Sequence, residues 1–515
     1  MELPLLERAR SGDDAFPLVV AVDAGDGLMA SLCGVGAGIA LPAPPKEGEQ
    51  YRFHFDMTKC IGCKCCVVAC NEQNGNPAAI QWRRVGEIEG GVYPHAVRHY
   101  LSMGCNHCME PTCLTGCPVD AYTKDGVTGI VRHSADACIG CQYCTWNCSY
   151  GVPQYNPERG VVGKCDMCYG RLAQGQLPAC VNACPEGAFL IETVNTAEWR
   201  REYEVKANSP GMPPADDSLS TTRITLSPRL TPDVRKVDMN RLRPEHPHWP
   251  LVVMTVLTQL SVGAFAAIWL LELVSARAHR AAAIVALAVA MLALGASTLH
   301  LGRPIHAVRA LKMWRRSWLS REVLLFTLFA LAAQGYALAL WLGLHGSRLL
   351  GGLTVLFGLC GVGASARLYV VPGRPAWRSP FTILEFVLTV ALLGSAGANV
   401  LYGAPGPARA AMAAAAVSVF VCGAAKMIWL ARSPMHERRG TFMLLMSDLS
   451  NLLALRAALL VAGLLLLVMA SAGGSAVAVA MVALFAGGEF VGRYLFFVSV
   501  VPANMATEYL SAEAA

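Results

Sequence analysis

The sequence predicts two units of different fold class, a small α+β domain followed by an all-α bundle of eight membrane-spanning helices. Hydrophobic residues make up 54% of the 515 residues and charged residues only 15%, whereas soluble domains carry about 25% charged residues. The apolar residues are concentrated beyond Pro250, while seventeen of the twenty cysteines lie between Cys60 and Cys184. The chain is too long for one core. Its net charge of +6 lies largely in short loops, which is typical of membrane topology rather than nucleic-acid binding.

The cysteines of the first half form an internal repeat of four quartets. Each quartet begins with a two-residue gap and ends with a three-residue gap, and a proline follows the second and the fourth. The quartets are Cys60, Cys63, Cys66 and Cys70; Cys105, Cys108, Cys113 and Cys117; Cys138, Cys141, Cys144 and Cys148; and Cys165, Cys168, Cys180 and Cys184.

This spacing is typical of cubane iron–sulfur clusters, in which three thiolates come from one tight loop and the fourth turns to a partner cluster. Sixteen thiols therefore predict four [4Fe–4S] clusters in an α+β ferredoxin-like domain of two 2[4Fe–4S] units. Structural zinc leaves the third cysteine of each quartet unused, and disulfide frameworks belong to small secreted domains. Cys65 falls between two ligands and is interpreted as a bystander thiol. The spacing alone leaves the pairing of the quartets open, in sequence or nested.

The rest of the chain divides by composition. We expect an N-terminal extension of unassigned role over residues 1–50, the iron–sulfur domain over 51–195, a proline-rich charged linker over 196–249, the membrane anchor over 250–503 and a tail over 504–515. The first residues lack the basic-then-apolar order of a cleavable signal peptide, so none is expected.

Eight apolar runs predict the membrane spans of the second half. Each run is close to the twenty residues that cross a bilayer, and many contain Gly and Ala, which let membrane helices approach closely. The runs cover residues 250–274, 281–300, 323–345, 349–366, 381–403, 410–431, 455–472 and 475–500.

Both halves resemble one family. The segment from CNHCMEPTCLTGCP to QLPACVNACP resembles the iron–sulfur subunit of dimethyl sulfoxide reductase-type molybdoenzymes, over roughly residues 50–195. The stretches HPHWPLVVMTVLTQLSVGA, HLGRPIHAVRALKMWRRSWLSREVL and ARLYVVPGRPAWRSPFT resemble the membrane-anchor subunit of the same enzymes, over most of 245–500. The chain therefore looks like a fusion of two subunits that are usually separate.

The resemblance implies a nested pairing of the quartets. Some relatives carry tryptophan at the position of Cys113 and hold a three-iron centre, so the cysteine here implies four irons. The implied ligand sets are Cys60, Cys63, Cys66 and Cys184 for cluster 1; Cys70, Cys165, Cys168 and Cys180 for cluster 2; Cys105, Cys108, Cys113 and Cys148 for cluster 3; and Cys117, Cys138, Cys141 and Cys144 for cluster 4.

A quinone site is expected between the second and third spans. His300 ends the second span and Glu322 begins the third, so both lie at the same membrane face, with Arg303 beside them. Histidine titrates near neutrality and suits a reaction that releases protons. The family's histidine and acid implicated in menaquinol oxidation match His300 and Glu322, which implies a site for menaquinone or ubiquinone with Arg303 as support. The alternative is that His300 only caps a span at the headgroups.

The expected function is electron transfer and membrane anchoring. The resemblance implies that electrons pass between quinone and a separate molybdopterin-containing catalytic subunit, so the chain alone does not convert the terminal substrate. One alternative is the reverse flow, in a sulfite-dehydrogenase-like complex that delivers electrons to quinone. A second is a transporter with a redox-sensing domain, which predicts an inverted repeat of broken helices that the sequence lacks. No nucleic-acid partner is expected.

The sequence gives conflicting signals for the membrane side. Loops two, four and six carry six, three and three Lys or Arg residues, whereas loops one, three, five and seven carry two, one, one and none. The positive-inside rule then places the iron–sulfur domain in the cytoplasm, at the inner membrane. The resemblance favours the periplasm instead, unless the basic loops serve to dock the iron–sulfur domain.

Overall fold

Strands and short helices alternate in the first half, and long helices follow. The computed structural model describes residues 40–206, 213, 215–231, 233–237, 241–275, 279–402, 406–469 and 475–504. The expected N-terminal extension up to residue 39, with Cys33, and the tail from residue 505 lie outside the described residues.

The first half contains short strands and short helices. Its strands are β1 (Glu49–Asp56), β2 (Arg84–Gly90), β3 (Val97–Met103), β4 (Tyr122–Lys124), β5 (Val131–His133), β6 (Gln154–Asn156), β7 (Val161–Gly163), β8 (Phe189–Asn195), β9 (Arg223–Thr225) and β10 (Arg235–Lys236). Its helices are α1 (Cys65–Asn74), α2 (Thr112–Gly116), α3 (Tyr143–Asn147), α4 (Tyr169–Ala173), α5 (Ala179–Asn182) and α6 (Thr196–Lys206).

These strands form two three-stranded sheets and two hairpins. In one sheet β1 pairs antiparallel with β8 and parallel with β9, and in the other β2 pairs antiparallel with β3 and β10. The hairpins are β4–β5 and β6–β7. Alternate residues of a strand share a face, so Tyr51, Phe53 and Phe55 of β1 are all buried in the core. The segment expected as a linker thus contributes β9 and β10 to the sheets.

Eight helices among the described residues are long and apolar enough to cross a membrane, as predicted. They are α7 (Trp249–Ser275), α8 (Arg280–Thr298), α9 (Trp318–Leu342), α10 (Ser347–Leu368), α11 (Pro380–Tyr402), α12 (Gly406–Ala431), α14 (Ser450–Met469) and α15 (Ser475–Val498). A short helix, α13 (His436–Met446), lies between α12 and α14, and a 3-10 segment (Pro304–Leu311) lies between α8 and α9.

Small residues bring these helices close together. A Cβ atom on Gly263 of α7 would lie 2.6 Å from the Val390 carbonyl oxygen and 2.8 Å from the Cα of Gly394 on α11. Only glycine allows the two backbones to approach this closely, as in other membrane bundles. Helix α7 is the most buried of the eight, with 72% of its most apolar stretch buried, so it lies at the centre of the bundle.

The iron–sulfur half sits on the end of the bundle formed by the even-numbered loops. Ser317 donates its hydroxyl to the Gly116 carbonyl at 2.7 Å, and the Tyr143 hydroxyl donates to the Leu368 carbonyl at 3.0 Å. The buried side chain of Trp146 is part of the same apolar cluster as the membrane helices. The two halves therefore share one continuous core at their junction.

Candidate iron–sulfur sites and an adjoining membrane cavity

Three small cavities in the first half are each lined by four cysteines, three from one quartet and one from another. The sets are Cys60, Cys63, Cys66 and Cys184; Cys105, Cys108, Cys113 and Cys148; and Cys117, Cys138, Cys141 and Cys144. The other four predicted ligands are also neighbours, since the thiol of Cys70 interacts with Cys168 and Cys180, and that of Cys165 with Cys70 and Cys180. This grouping matches the nested pairing that the family resemblance implies, while ligation itself stays a prediction.

The backbone around these thiols suits anionic sulfur. In three of the four sites a backbone amide donates to a cysteine thiol. In all four the loop passes through a residue in the left-handed conformation, and such loops turn successive amides toward one point. The amide donors and thiol acceptors are Ala121 and Cys117 at 3.3 Å, Gly140 and Cys138 at 3.4 Å, Met167 and Cys165 at 3.3 Å, and Ala188 and Cys184 at 3.3 Å. The left-handed residues include Lys64, His107, Gln142 and Cys168.

The donor set fits a multi-atom cluster better than a single ion. Among the described residues, no three His, Cys, Asp or Glu side chains converge closely enough to hold one metal ion. The four thiols of a set stand around a cavity instead, as they must when each one binds a different iron of a cubane. The residues present therefore fit iron–sulfur clusters.

Two buried cations lie among the thiols, and neither follows a pattern visible in the sequence. Arg83 is only 1% exposed and stacks on Phe189 with its guanidinium 4.0 Å from the ring centre. Burial alone lowers the pKa of Arg83, but the thiolates nearby, foremost Cys180 and Cys66, raise it and prevail. Lys164, 3% exposed, donates to the Cys165 carbonyl at 2.8 Å. Both residues place positive charge beside the anionic sites.

A cavity of about 250 Å³ lies where the first half meets the membrane helices. It is lined by Cys141 and Trp146 from the iron–sulfur half and by His300 and Glu322 from the anchor half. A ring nitrogen of His300 lies 3.3 Å from the Cys141 carbonyl oxygen. Trp146 stacks on His300, with ring centres 6.1 Å apart and planes 25° apart. The structure thus brings together two of the three residues predicted for the quinone site.

Arg303, the third residue, does not line this cavity. Its guanidinium donates to the Ala135 carbonyl at 2.8 Å and its backbone amide to the Ile139 carbonyl at 3.1 Å. Arg303 therefore contacts the iron–sulfur half at the loop before Cys141.

A second histidine lies beside His300, and sequence reasoning missed it. The His248 ring centre is 5.1 Å from that of His300. Burial lowers the pKa of His300 to about 4, and burial together with His300 and Arg374 lowers the pKa of His248 to about 3. Both rings are therefore neutral near pH 7. The only signal in the sequence was the position of His248 directly before the first span.

Comparison with known proteins identifies an iron–sulfur part and an anchor part of the chain. Residues 96–193 match the family model described as a 4Fe-4S dicluster domain, and residues 243–498 match the model described as DMSO reductase anchor subunit (DmsC). Over 177 residues the chain is 37% identical to an anaerobic dimethyl sulfoxide reductase chain of Haemophilus influenzae, covering 33% of this chain and 85% of that protein. This protein belongs to the dimethyl sulfoxide reductase family of iron–sulfur and anchor subunits.

Other relatives of this dimethyl sulfoxide reductase-type chain also match about a third of its length. An anaerobic dimethyl sulfoxide reductase chain of Escherichia coli K12 is 41% identical over 162 residues, which cover 30% of this chain and 78% of that protein. A sulfite dehydrogenase subunit of Allochromatium vinosum is 34% identical over 167 residues, covering 28% and 70%. The anchor match begins only at residue 243. The predicted fusion of an iron–sulfur subunit with an anchor subunit is therefore confirmed.

Proposed function

We propose that this dimethyl sulfoxide reductase-type chain carries electrons between a membrane quinone and a separate molybdopterin-containing catalytic subunit, through four [4Fe–4S] clusters. The position of Cys141 carries the proposal. Cys141 lines both the innermost thiol cavity and the membrane cavity of His300 and Glu322. A quinone in the membrane cavity would therefore lie directly beside a cluster held by Cys141.

The thiol sets follow one another away from the membrane. The sets are numbered here as the predicted clusters 1 to 4. Tyr122 lies near Cys144 of the fourth set and Cys113 of the third. Cys105 of the third set neighbours Cys165 of the second, and Cys70 of the second set neighbours Cys66 of the first. Iron–sulfur clusters in these sites would supply one-electron transfer, and the protein holds and spaces them. The order supports a single path that starts at the membrane cavity.

The first set lies at the surface, far along this path. Cys63 is exposed, and two large apolar residues close to it, Ile61 and Val68, are 57% and 60% exposed. Exposed apolar residues of this kind favour contact with another protein. We place the catalytic subunit at this end of the path, where an electron leaves or enters the chain.

The membrane cavity suits a quinone head group. Its walls include the apolar side chains of Leu251, Met254 and Phe326, which match an aromatic ring and an isoprenoid tail. His300 and Glu322 are the polar groups that would hydrogen-bond the ring oxygens. In this proposal Arg303 acts in docking the two halves and not on the quinone.

The direction of flow has a second candidate. The likeness to a sulfite dehydrogenase subunit, at 34% identity, favours a complex in which electrons enter from the catalytic partner and reduce quinone. The likeness to the dimethyl sulfoxide reductase chains favours quinol oxidation. Midpoint potentials of the clusters, measured beside quinol-driven and quinone-consuming turnover, separate the two directions.

Substituting His300 by leucine tests the membrane cavity as the quinone site. We expect quinol-dependent reduction of the clusters to slow at least about tenfold, because one neutral hydrogen bond to the ring is worth about 1 kcal/mol and the polar partner left unpaired costs more. Iron content and paramagnetic resonance spectra should stay unchanged. His345→Leu is the matched control, since His345 is exposed in the loop at the opposite membrane face. A normal rate in the His300 variant would remove the proposed site.

A further inference from the structure

A second cavity lies in the other part of the bundle, away from the thiol sites. It has a volume of about 230 Å³ and is lined by residues of α11 to α15. Five charged side chains face it: Glu385, Lys426, Arg456, Glu489 and Arg493. Nothing in the proposed electron path uses them.

The charges of this cavity do not balance. Lys426 pairs with Glu385 at 2.8 Å, and Arg456 lies 3.5 Å from Glu489. Arg493, only 4% exposed, donates to the neutral Gln259 side chain at 3.0 Å. Among the described residues, no carboxylate lies within ion-pair distance of Arg493. Three cations and two carboxylates leave one positive charge in excess.

Several polar atoms of the cavity also lack partners. The Nε atoms of Arg456 and Arg493 and the Oε1 atom of Glu489 are buried and have no hydrogen-bond partner among the described residues, so two of these three atoms are donors. A buried cation such as Arg493 that has unused donors, with Glu489 and Glu385 acting on it only beyond ion-pair distance, is costly unless an anion completes the site. Guanidinium groups bind phosphate oxygens especially well, because their planar donors match that geometry.

The location of the cavity indicates a membrane lipid. Its lining comes from the start of α11 and the ends of α12 and α15, which lie at the face that carries the iron–sulfur half. Phe420 of the lining is 48% exposed on the side of α12, so the cavity borders the bilayer. The stacked rings of Trp377 and Phe496, 4.9 Å apart and 8° from parallel, also form part of the lining. Basic groups at headgroup depth attract anionic lipids.

We propose that this cavity binds the phosphate group of an anionic phospholipid, with Arg456 and Arg493 as its main donors. The same chemistry would recognise free inorganic phosphate. The apolar walls, such as Leu445, Leu453 and Phe420, favour the lipid, because an acyl chain covers them and a free ion does not.

Gly492 supplies a test that leaves the charge unchanged. A Cβ atom at this position would lie 2.5 Å from the Nε and 2.7 Å from the Cζ of Arg456. Those atoms are the end of a flexible side chain, so Gly492→Ala should turn the guanidinium away at little cost in folding. Arg456→Gln removes the charge itself. Arg432→Gln is the matched control, since Arg432 is exposed at the end of the same membrane face and does not line the cavity.

The experiment uses the full-length protein with its clusters in phosphatidylcholine nanodiscs. Phosphatidylglycerol is titrated in one arm and inorganic phosphate in the other, and bound lipid is counted by native mass spectrometry. We expect saturable binding of phosphatidylglycerol at least tenfold tighter than that of phosphatidylcholine. Gly492→Ala and Arg456→Gln should weaken it by about tenfold or more, the size expected for a charge-assisted hydrogen bond, and Arg432→Gln should not.

Each other outcome supports or overturns the assignment. Competition by inorganic phosphate, with the same dependence on Arg456, supports the phosphate as the recognised group. Binding of inorganic phosphate without binding of phosphatidylglycerol overturns the lipid assignment. Equal phosphatidylglycerol binding in all variants, or its displacement by a short-chain quinone, overturns the proposal as a whole.

Discussion

Replacing Gly302 by alanine probes the contact through which the membrane cavity meets the innermost thiol loop. A Cβ atom on Gly302 would lie 2.3 Å from the Gly160 carbonyl oxygen, whereas ordinary contact begins at 3.4 Å. The loop of Gly302 and the turn of Gly160, between β6 and β7, must therefore separate by about 1.1 Å, and this displaces Gly302 beside the thiol loop. The two nearest opposing atoms are backbone atoms of Gly160, so no change of rotamer relieves the clash.

This separation weakens two backbone hydrogen bonds at the junction. Gly302 donates to the Gly140 carbonyl at 3.3 Å, and Arg303 donates to the Ile139 carbonyl at 3.1 Å. Their loss costs about 2 kcal/mol, at about 1 kcal/mol each, which falls within the about 1–3 kcal/mol typical of overpacking. The many other contacts of the junction keep the two halves attached, so the expected change is local.

The assay is quinol-dependent reduction of the clusters by the purified, cluster-loaded protein. We expect the Gly302→Ala rate to fall by roughly 10- to 100-fold, because a misplacement of about 1 Å near reacting groups can cost this much. Iron content should stay constant. Gly295→Ala is the control, since a Cβ atom on Gly295 meets nothing within 4 Å. A Gly302→Ala rate equal to that of the control would show that the junction does not set the transfer distance.

Three further substitutions have distinct expected results. Cys66→Ser should lose one cluster and slow electron flow, while Cys65→Ser keeps every cluster; iron analysis and paramagnetic resonance measure this, and full iron content in the Cys66 variant contradicts the ligand assignment. Arg83→Gln should lower the midpoint potentials of the nearest clusters by roughly 50–100 mV, because a buried positive charge favours the reduced form of a cluster. A redox titration measures these potentials, and unchanged values would refute the prediction. Glu322→Gln should reduce quinol turnover at least about tenfold with clusters intact, and normal turnover excludes Glu322 from the site.

The sequence predicts an iron–sulfur half followed by a helical membrane half, because the cysteine quartets indicate the first and the apolar runs indicate the second. The apolar runs place all eight spans, yet the third helix begins at Trp318, five residues before the predicted 323. The intervening residues include Arg321 and Glu322, which hydropathy excludes but a helix tolerates at its first turn. Helix α13 (His436–Met446) was not predicted, because its residues are too polar and too few to form an apolar run.

Short tertiary elements escape sequence reasoning for a different reason. Strand β9 has three residues, too few to show an alternating pattern, and it forms because its backbone pairs with β1. The segment expected as a linker therefore contains sheet residues that only the fold can reveal.

The residues of the candidate sites also fall into those that the sequence predicts and those that only the fold reveals. Cysteine spacing predicts the thiol sets, because the ligand geometry of a cluster is written into neighbouring residues of the chain. Arg83 and His248 follow no such pattern. Arg83 reaches the thiols through rings of β1 and β8, at 4.9 Å from Phe53 and 4.0 Å from Phe189. Such residues become candidates only when distant segments are brought together.

Many basic residues of the even-numbered loops contact the iron–sulfur half, so their number alone is a weak indicator of membrane topology. Loops two, four and six carry twelve Lys or Arg residues, against four in the odd loops. Six of the twelve contact the iron–sulfur half or its connector: Arg303, Arg309, Lys312, Arg316, Arg374 and Arg378. The six that remain nearly equal the four opposite, so half of the basic residues that favour a cytoplasmic iron–sulfur domain also have docking contacts. A topology reporter fused in the loop of His345, at the opposite membrane face, measures directly on which side of the membrane that loop lies. The result does not depend on the basic residues that contact the iron–sulfur half.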